Sequence, residues 1–79
     1  MAVVDKEQDW AHRARRFLRA EIKRAEISYA ELARRLKEHG LEETEASIAN
    51  KLSRGTFAAT FFLATMKAIG RENVNLADV

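Results

Sequence analysis

Side chains suited to contacting DNA bases are concentrated in one short segment, SIANKLSRGTF, which covers residues 47–57. Its apolar residues Ile48 and Leu52 lie four positions apart, the spacing of one buried helical face. Asparagine can form two hydrogen bonds with adenine, arginine can do so with guanine, and hydroxyl groups can bind phosphate or base. The chemistry that this segment indicates is contact with DNA, with any sequence specificity from Ser47, Asn50, Lys51 and Arg54. The alternative is an ordinary solvated helix.

A second candidate for nucleic-acid contact is the basic side of the first predicted helix. Residues 12–25 contain six Arg or Lys and one Glu, a net charge of +5, whereas residues 38–45 contain four Glu and no Lys or Arg, a net charge of −4. Helical spacing places four side chains opposite the apolar side: His12, Arg16, Arg19 and Lys23. Such a stripe can contact phosphates of DNA or RNA. Its other interpretations are a solvated face, or a surface that pairs with the acidic segment of a neighbouring molecule.

The composition is typical of a small helical protein. The chain has 79 residues, no Cys, no Pro and three Gly, so we expect one domain without disulfides or thiolate metal sites. Ala, Leu, Glu, Lys and Arg are abundant, which favours an all-α bundle of four to five short helices. Because no long apolar run or leader pattern occurs, we predict a cytoplasmic protein without a membrane segment.

Catalytic and cofactor sites are not expected. His12 and His39 are isolated, and no Ser-His-Asp arrangement, paired-acid pocket or HExxH motif occurs. The glycines at positions 40, 55 and 70 are too far apart to form a phosphate-binding loop. We therefore predict that the protein is not an enzyme and has no metal, cofactor or small-molecule substrate.

Helix 1 is predicted to be amphipathic. It begins at Asp5 or Asp9, because DKEQ has the spacing of a capping box. Residues 1–8 are then an arm or its first turn, and residues 9–79 form the domain. The one charge within its apolar sector is Glu21, which needs an arginine or another donor if it is buried. The predicted core of the domain comprises Trp10, Phe17, Leu18, Ile22, Leu32, Leu36, Leu41, Ile48, Leu52, Phe62, Met66 and Ile69.

Capping and turn residues predict three further helices. SYAE, beginning at Ser28, is a capping box for helix 2, and Gly40 ends that helix. Thr44 caps helix 3 and Gly55 ends it. Thr56 is predicted to cap helix 4. Helix 3 is expected to be anchored by Ala46, Ile48, Ala49 and Leu52.

Helix 4, in the segment FAATFFLATMKAIG, is apolar on nearly every side. A helix of this kind is buried on several sides. The first interpretation is an internal core helix. The second is a dimer seam on the face that carries Phe57, Phe61 and Ala64.

The segments SYAELARRL, SIANKLSRGTF and LATMKAIG resemble the second, recognition and fourth helices of the lambda-repressor-like (Cro/C1-type) helix-turn-helix regulators. The resemblance covers roughly residues 28–79. The layout SYAELARRL…IANKLSRGTF is also similar to that of a small bacterial family of uncharacterised proteins. The chain departs from the larger family in a helix 2 that is longer by about one turn and in a longer connection to helix 3.

The resemblance implies a small transcriptional regulator that binds double-stranded DNA as a homodimer. It implies that Tyr29 contacts phosphate and that side chains of helix 3 enter the groove. These groove residues are Thr44, Ser47 and Asn50, with Lys51 and Arg54 on phosphate or a guanine edge. The acidic residues Glu42, Glu43 and Glu45 lie beside that end and are expected to repel phosphate.

Two other functions remain open. One is a protein-interaction module, a homodimer or complex subunit, that has a helix-turn-helix shape without specific DNA binding. The other is non-specific or RNA binding through Arg16, Arg19 and Lys23 on helix 1.

Overall fold

The computed structural model describes residues 6–79. Within this range the chain forms four α-helices and a final 3₁₀ turn, and no strand. The helices are α1 (Lys6–Arg24), α2 (Tyr29–Glu38), α3 (Glu45–Arg54) and α4 (Ala59–Ala68), followed by the 3₁₀ turn Leu76–Asp78. The predicted all-α fold is confirmed. None of the described helices is long and apolar enough to cross a bilayer.

The core consists of aliphatic side chains from all four helices with one aromatic ring. α1 packs against α3, and α2 packs against both α3 and α4. The buried hydrophobic residues are Leu18, Ile22, Leu32, Leu36, Ile48, Leu52, Phe61 and Met66. Each helix therefore contributes two of these side chains, which is the pattern expected when short amphipathic helices stabilise one another by burying their apolar faces.

Two core predictions were wrong. Trp10 is 57 % exposed, and residues 6–9 of α1 are exposed with it, because no other helix of the described residues covers this first part of α1. The guanidinium carbon of Arg13 lies 4.5 Å from the centroid of the Trp10 ring and covers one face of it. Conversely, Phe61 was absent from the predicted core but is buried. The predicted core residues Phe17, Leu41, Phe62 and Ile69 are half-buried against the core.

The helix ends follow local capping chemistry in α2 and α3. The Ser28 hydroxyl accepts a hydrogen bond from the Glu31 amide at 3.1 Å. The Thr44 hydroxyl accepts one from the Ser47 amide at 3.0 Å, and the Ser47 hydroxyl accepts one from the Thr44 amide at 2.8 Å. Gly55 ends α3 in the left-handed conformation. The predicted caps of α2 and α3 are therefore confirmed.

The remaining helix starts differ from prediction or lie outside the structure. α4 begins at Ala59 with Ala58 as its N-cap, which makes no side-chain capping hydrogen bond, so the predicted cap at Thr56 was wrong. Residues 55–58 instead form a non-helical segment before the helix starts, and Phe57 in this segment packs half-buried against the core. α1 already includes Lys6, and the alternative start at Asp9 is part of its first turn. The alternative cap Asp5 lies outside the described residues.

Glu21 is the charged residue that the sequence places in the apolar sector of α1, and it is buried. Its Oε2 accepts a hydrogen bond from Arg24 at 2.5 Å. Its Oε1 forms an ion pair with Arg71 at 2.8 Å that lacks hydrogen-bond geometry. The expectation that a buried Glu21 needs an arginine is confirmed, and the Arg71 contact also joins α1 to the segment that follows α4.

Candidate nucleic-acid interface

The unit that presents the candidate residues consists of α2, α3 and the adjoining side of α1. Residues 39–44 connect α2 to α3, and Leu36 and Ile48 of these helices are fully buried in the shared core. At the other end of α3, Arg15 donates a hydrogen bond to the Ser53 carbonyl at 2.9 Å. α3 is thus held at both ends, and the side of α3 opposite the core faces solvent.

Thr44 and Ser47 are committed to the start of α3. Besides the reciprocal capping hydrogen bonds, the Ser47 hydroxyl donates to Glu43 Oε1 at 2.6 Å. A hydroxyl has one proton to donate, so the Glu43 carboxylate uses the donor that the sequence analysis assigned to a base or phosphate. Ser47 therefore lies at the start of α3 with its hydroxyl proton used inside the protein, whereas the hydroxyl of the exposed Thr44 accepts from the Ser47 amide and donates to no residue in the described range.

Lys51 is also held by Glu43. Its ammonium group lies 3.0 Å from Glu43 Oε1 and 5.5 Å from the centroid of the Phe61 ring. The Lys51 and Glu43 side chains are only 27 % and 10 % exposed. The charge of Lys51 is therefore neutralised within the protein. The same contact neutralises one of the three acidic residues expected to repel phosphate, and it leaves Glu42 and Glu45 exposed.

Among the predicted contacts on α3, the amide of Asn50 and the guanidinium of Arg54 remain available. Both side chains are exposed, and neither forms a hydrogen bond or ion pair with any residue in the described range 6–79. Their uncommitted amide and guanidinium groups are the kinds of group that read adenine and guanine edges.

Small side chains surround Asn50 on the exposed side of α3, a feature that was not predicted from the sequence. Ala46, Ala49 and Ser53 are exposed together with Asn50, at the spacing of one helical face. Ala46 and Ala49 were predicted to anchor the helix, and that prediction was wrong because Ile48 and Leu52 alone occupy the buried side. The spacing 46, 49, 50, 53 was visible in the sequence, but alanine is among the residues most often buried, so its presence favoured the buried side.

Tyr29 lies at the first position of α2 and is half-buried against the core. It lines an open groove of about 440 Å³ together with Arg19, Lys23 and Ile27. The groove brings the predicted phosphate contact of helix 2 beside the predicted basic stripe of α1. Sequence spacing alone did not place these two candidates together.

The basic side of α1 is exposed as predicted. Arg16, Arg19 and Lys23 are all exposed and form no ion pair with any other residue of the described chain. His12 contacts the Arg15 guanidinium through Nδ1. The structure therefore leaves three uncompensated positive charges on neighbouring turns of one helix.

The proposed dimer seam is only partly accessible. Phe61 is buried, and its ring centroid lies 5.4 Å from that of Phe57. Phe57 and Ala64 are half-buried against the same core. In this arrangement Phe61 stabilises the monomer, so a second molecule could reach only the exposed parts of Phe57 and Ala64. The dimer itself stays a prediction.

The comparison with known proteins gives a family but no function. Residues 10–74 match the family model described as a domain of unknown function, DUF6471. The match begins within α1, includes α2, α3 and α4 completely, and ends in the segment after α4. No curated protein and no solved structure matches the chain. Since the matched segment is most of its length, the chain belongs to the DUF6471 family.

Proposed function

We propose that this protein is a small cytoplasmic transcriptional regulator that binds double-stranded DNA through α2 and α3, as in lambda-repressor-like helix-turn-helix proteins. The observation that carries the proposal is the exposed side of α3. It combines small side chains with Asn50 and Arg54, whose polar groups have no partner in residues 6–79.

The size of this face fits the major groove. A helix with its side chains is about 10–12 Å wide and the groove is about 12 Å wide, so bulky side chains would hold the helix backbone away from the bases. Ala46, Ala49 and Ser53 add little width. This favours close approach of α3, with Asn50 facing an adenine and the alanine methyl groups near thymine methyl groups.

The charge distribution indicates which end of α3 lies nearest to the DNA backbone. Glu42 and Glu45 are exposed at the start of α3, whereas Arg54 is exposed at its end. Phosphates are repelled by the first pair and attracted by the last residue. The end of α3 that carries Arg54 is therefore the end we expect to lie nearest to the DNA backbone.

The test is selection from a pool of random duplex DNA at about 50 and about 200 mM salt. We expect the wild-type protein to enrich a sequence motif at both salt concentrations, and a palindromic motif would indicate a symmetric dimer. Asn50→Ala should relax the preference at one position by about 5- to 150-fold, the equivalent of one bidentate base contact at about 1–3 kcal/mol. Lys67→Ala, which removes an exposed charge of α4, a helix outside the proposed interface, is the control and should leave the motif unchanged.

A second candidate function is a protein-interaction module, and one observation favours it. Leu63 of α4 is 66 % exposed, and it lines an open groove of about 280 Å³ together with Phe62, Met66 and Val74. Exposed apolar surface of this kind often marks a protein contact. This function is supported if the protein fails to bind any duplex at low salt, and if Leu63→Ser converts a dimer to a monomer by light scattering.

A further inference from the structure

We propose that the basic face of α1, formed by Arg16, Arg19 and Lys23, binds the sugar-phosphate backbone of the same duplex that α3 contacts. This inference rests on the proposed function. It adds a second contact surface, on a helix that the helix-turn-helix arrangement does not require for base reading.

The chain distinguishes these three residues from most of its other basic side chains. Seven others bind a carboxylate or a backbone carbonyl oxygen inside the protein: Arg13, Arg15, Arg24, Arg34, Arg35, Lys51 and Arg71. The basic face of α1 has no such contact with any residue from 6 to 79. Its charges are therefore available to an external anion.

Neighbouring charges on this face oppose one another. Arg16 and Arg19 are three residues apart, and Arg19 and Lys23 are four apart, which are the spacings at which like charges destabilise a helix. α2 has the opposite arrangement, because Arg34 pairs with Glu31 at 2.7 Å and with Glu38 at 2.6 Å. If the face of α1 were only solvated, the repulsion between its three positive charges would destabilise the helix without any compensation. A bound polyanion compensates all three charges together.

The basic face of α1 lies beside the end of α3 that we expect to approach the DNA. On a helical projection at about 100° per residue, Arg15 lies between the buried Leu18 and the exposed Arg19. Arg15 donates to the Ser53 carbonyl at 2.9 Å, so the last turn of α3 adjoins the basic face. A duplex on the exposed side of α3 can therefore extend over the part of α1 that carries Arg16, Arg19 and Lys23.

The start of α2 borders the same face. Arg19 and Lys23 line the groove of about 440 Å³ that also contains Tyr29 and Ile27. Arg16 and Lys23 are separated by about 10 Å along the helix axis at 1.5 Å per residue. One DNA strand carries a phosphate about every 3.4 Å along its axis, so several phosphates can lie along the basic face, with the Tyr29 side chain at its edge.

The experiment measures the dependence of duplex binding on salt concentration. For B-DNA, each phosphate contact contributes about −0.9 to the slope of log K against log salt. We expect Arg19→Ala/Lys23→Ala to make the slope less negative by about 1.8. The matched control, Lys6→Ala/Lys67→Ala, also removes two exposed helical charges that have no partner in the described chain and lie outside α2 and α3, and it should leave the slope unchanged. Circular dichroism checks that both variants are folded.

The outcomes separate this inference from the proposed function. If the wild type binds a selected motif, and both double variants show the same dependence of log K on log salt as the wild type, the basic face of α1 makes no DNA contact. Only this inference is then overturned. If the wild type binds no duplex even at about 50 mM salt, both proposals are overturned. If the α1 variant weakens binding to single-stranded RNA of the same length while duplex binding is unchanged, the face is an RNA surface and the inference is again overturned.

Discussion

At the scale of single residues, Gly55 carries the strictest steric constraint. It ends α3 at a φ of 76°, and a β-carbon there would lie 2.3 Å from the Ala11 carbonyl oxygen of α1. Gly40 ends α2 at a similar φ of 85°, but a β-carbon there would meet nothing within 4 Å. The two glycines share the left-handed conformation, and only Gly55 also lets two helices approach closely.

This difference predicts unequal effects of the same substitution. Gly40→Ala should reduce the free energy of unfolding by about 1–2 kcal/mol, the cost of a left-handed residue with a β-carbon. Gly55→Ala should cost at least about 2 kcal/mol more, because α1 and α3 must also separate. Urea denaturation measures both values. Equal losses would contradict the close approach of Gly55 to α1.

Thr65 is a buried hydroxyl residue in the centre of α4. It is fully buried, and its Oγ1 has no hydrogen-bond partner among the described residues. An unpaired buried polar group costs about 1–3 kcal/mol. Thr65→Val has nearly the same shape without the hydroxyl, so we expect it to raise the free energy of unfolding by about 1 kcal/mol. Thr60→Val, at an exposed position of the same helix, is the control, and an equal gain there would indicate β-branched packing instead.

At the scale of helices, α2 is stabilised by an ion-pair network on its own surface. The side-chain hydrogen bonds of Glu31 with Arg34 and Arg35 lower the pKa of Glu31 from 4.5 to about 2. Arg35 also donates to the Ala68 carbonyl at 3.1 Å. The network therefore joins the middle of α2 to the last turn of α4.

The lowered pKa of Glu31 predicts a specific dependence of stability on pH. A carboxylate with a depressed pKa in the folded state stabilises that state above its unfolded pKa, and the contribution is lost as the pH falls toward the folded pKa. Wild type should therefore melt at a higher temperature than Glu31→Gln above about pH 4.5, and the difference should shrink toward about pH 2. Thermal unfolding over this range measures it. The control Glu38→Gln changes a carboxylate of the same helix that accepts from Arg34 alone, and its difference from wild type should be smaller.

Some helix starts could be predicted from the sequence and others could not. The starts of α2 and α3 were predicted correctly because Ser28 and Thr44 cap their helices through hydrogen bonds within three residues. The start of α4 was not, because packing of Phe57 and Phe61 against the core decides where that helix begins. The burial of Phe61 and the exposure of Trp10 likewise depend on contacts between helices.

In the candidate interface, too, some features could be predicted from the sequence and others could not. Helical periodicity was sufficient to place Asn50 and Arg54 outside and Ile48 and Leu52 inside. It could not predict that Glu43 binds both Ser47 and Lys51, since Lys51 lies eight residues from Glu43 and the contact needs the observed bend of the chain before α3. A buried acid can thus remove apparent binding residues from a surface.

At the scale of the whole molecule, Glu21 joins the first helix to the end of the bundle. Its buried carboxylate lies between Arg24 on its own helix and Arg71 after α4. The side chains of Arg24 and Arg71 are 70 % and 41 % exposed. The arginines and the carboxylate therefore differ in their access to water. Each arginine can be hydrated when the carboxylate is removed, whereas the carboxylate stays buried when an arginine is removed.

This inequality predicts the result of breaking the contact from either side. Arg71→Ala leaves a buried carboxylate oxygen without a cation, so we expect it to lower the free energy of unfolding by about 2–3 kcal/mol. Glu21→Leu replaces the buried charge with an apolar side chain of similar size and leaves both arginines to water, so it should cost less than about 1 kcal/mol. Chemical denaturation of both variants decides between them. A Glu21→Leu loss as large as that of Arg71→Ala would mean that the ion pair stabilises the bundle more than apolar packing does. The matched control is Arg54→Ala, an exposed arginine outside this contact, which should leave stability within about 0.5 kcal/mol of wild type.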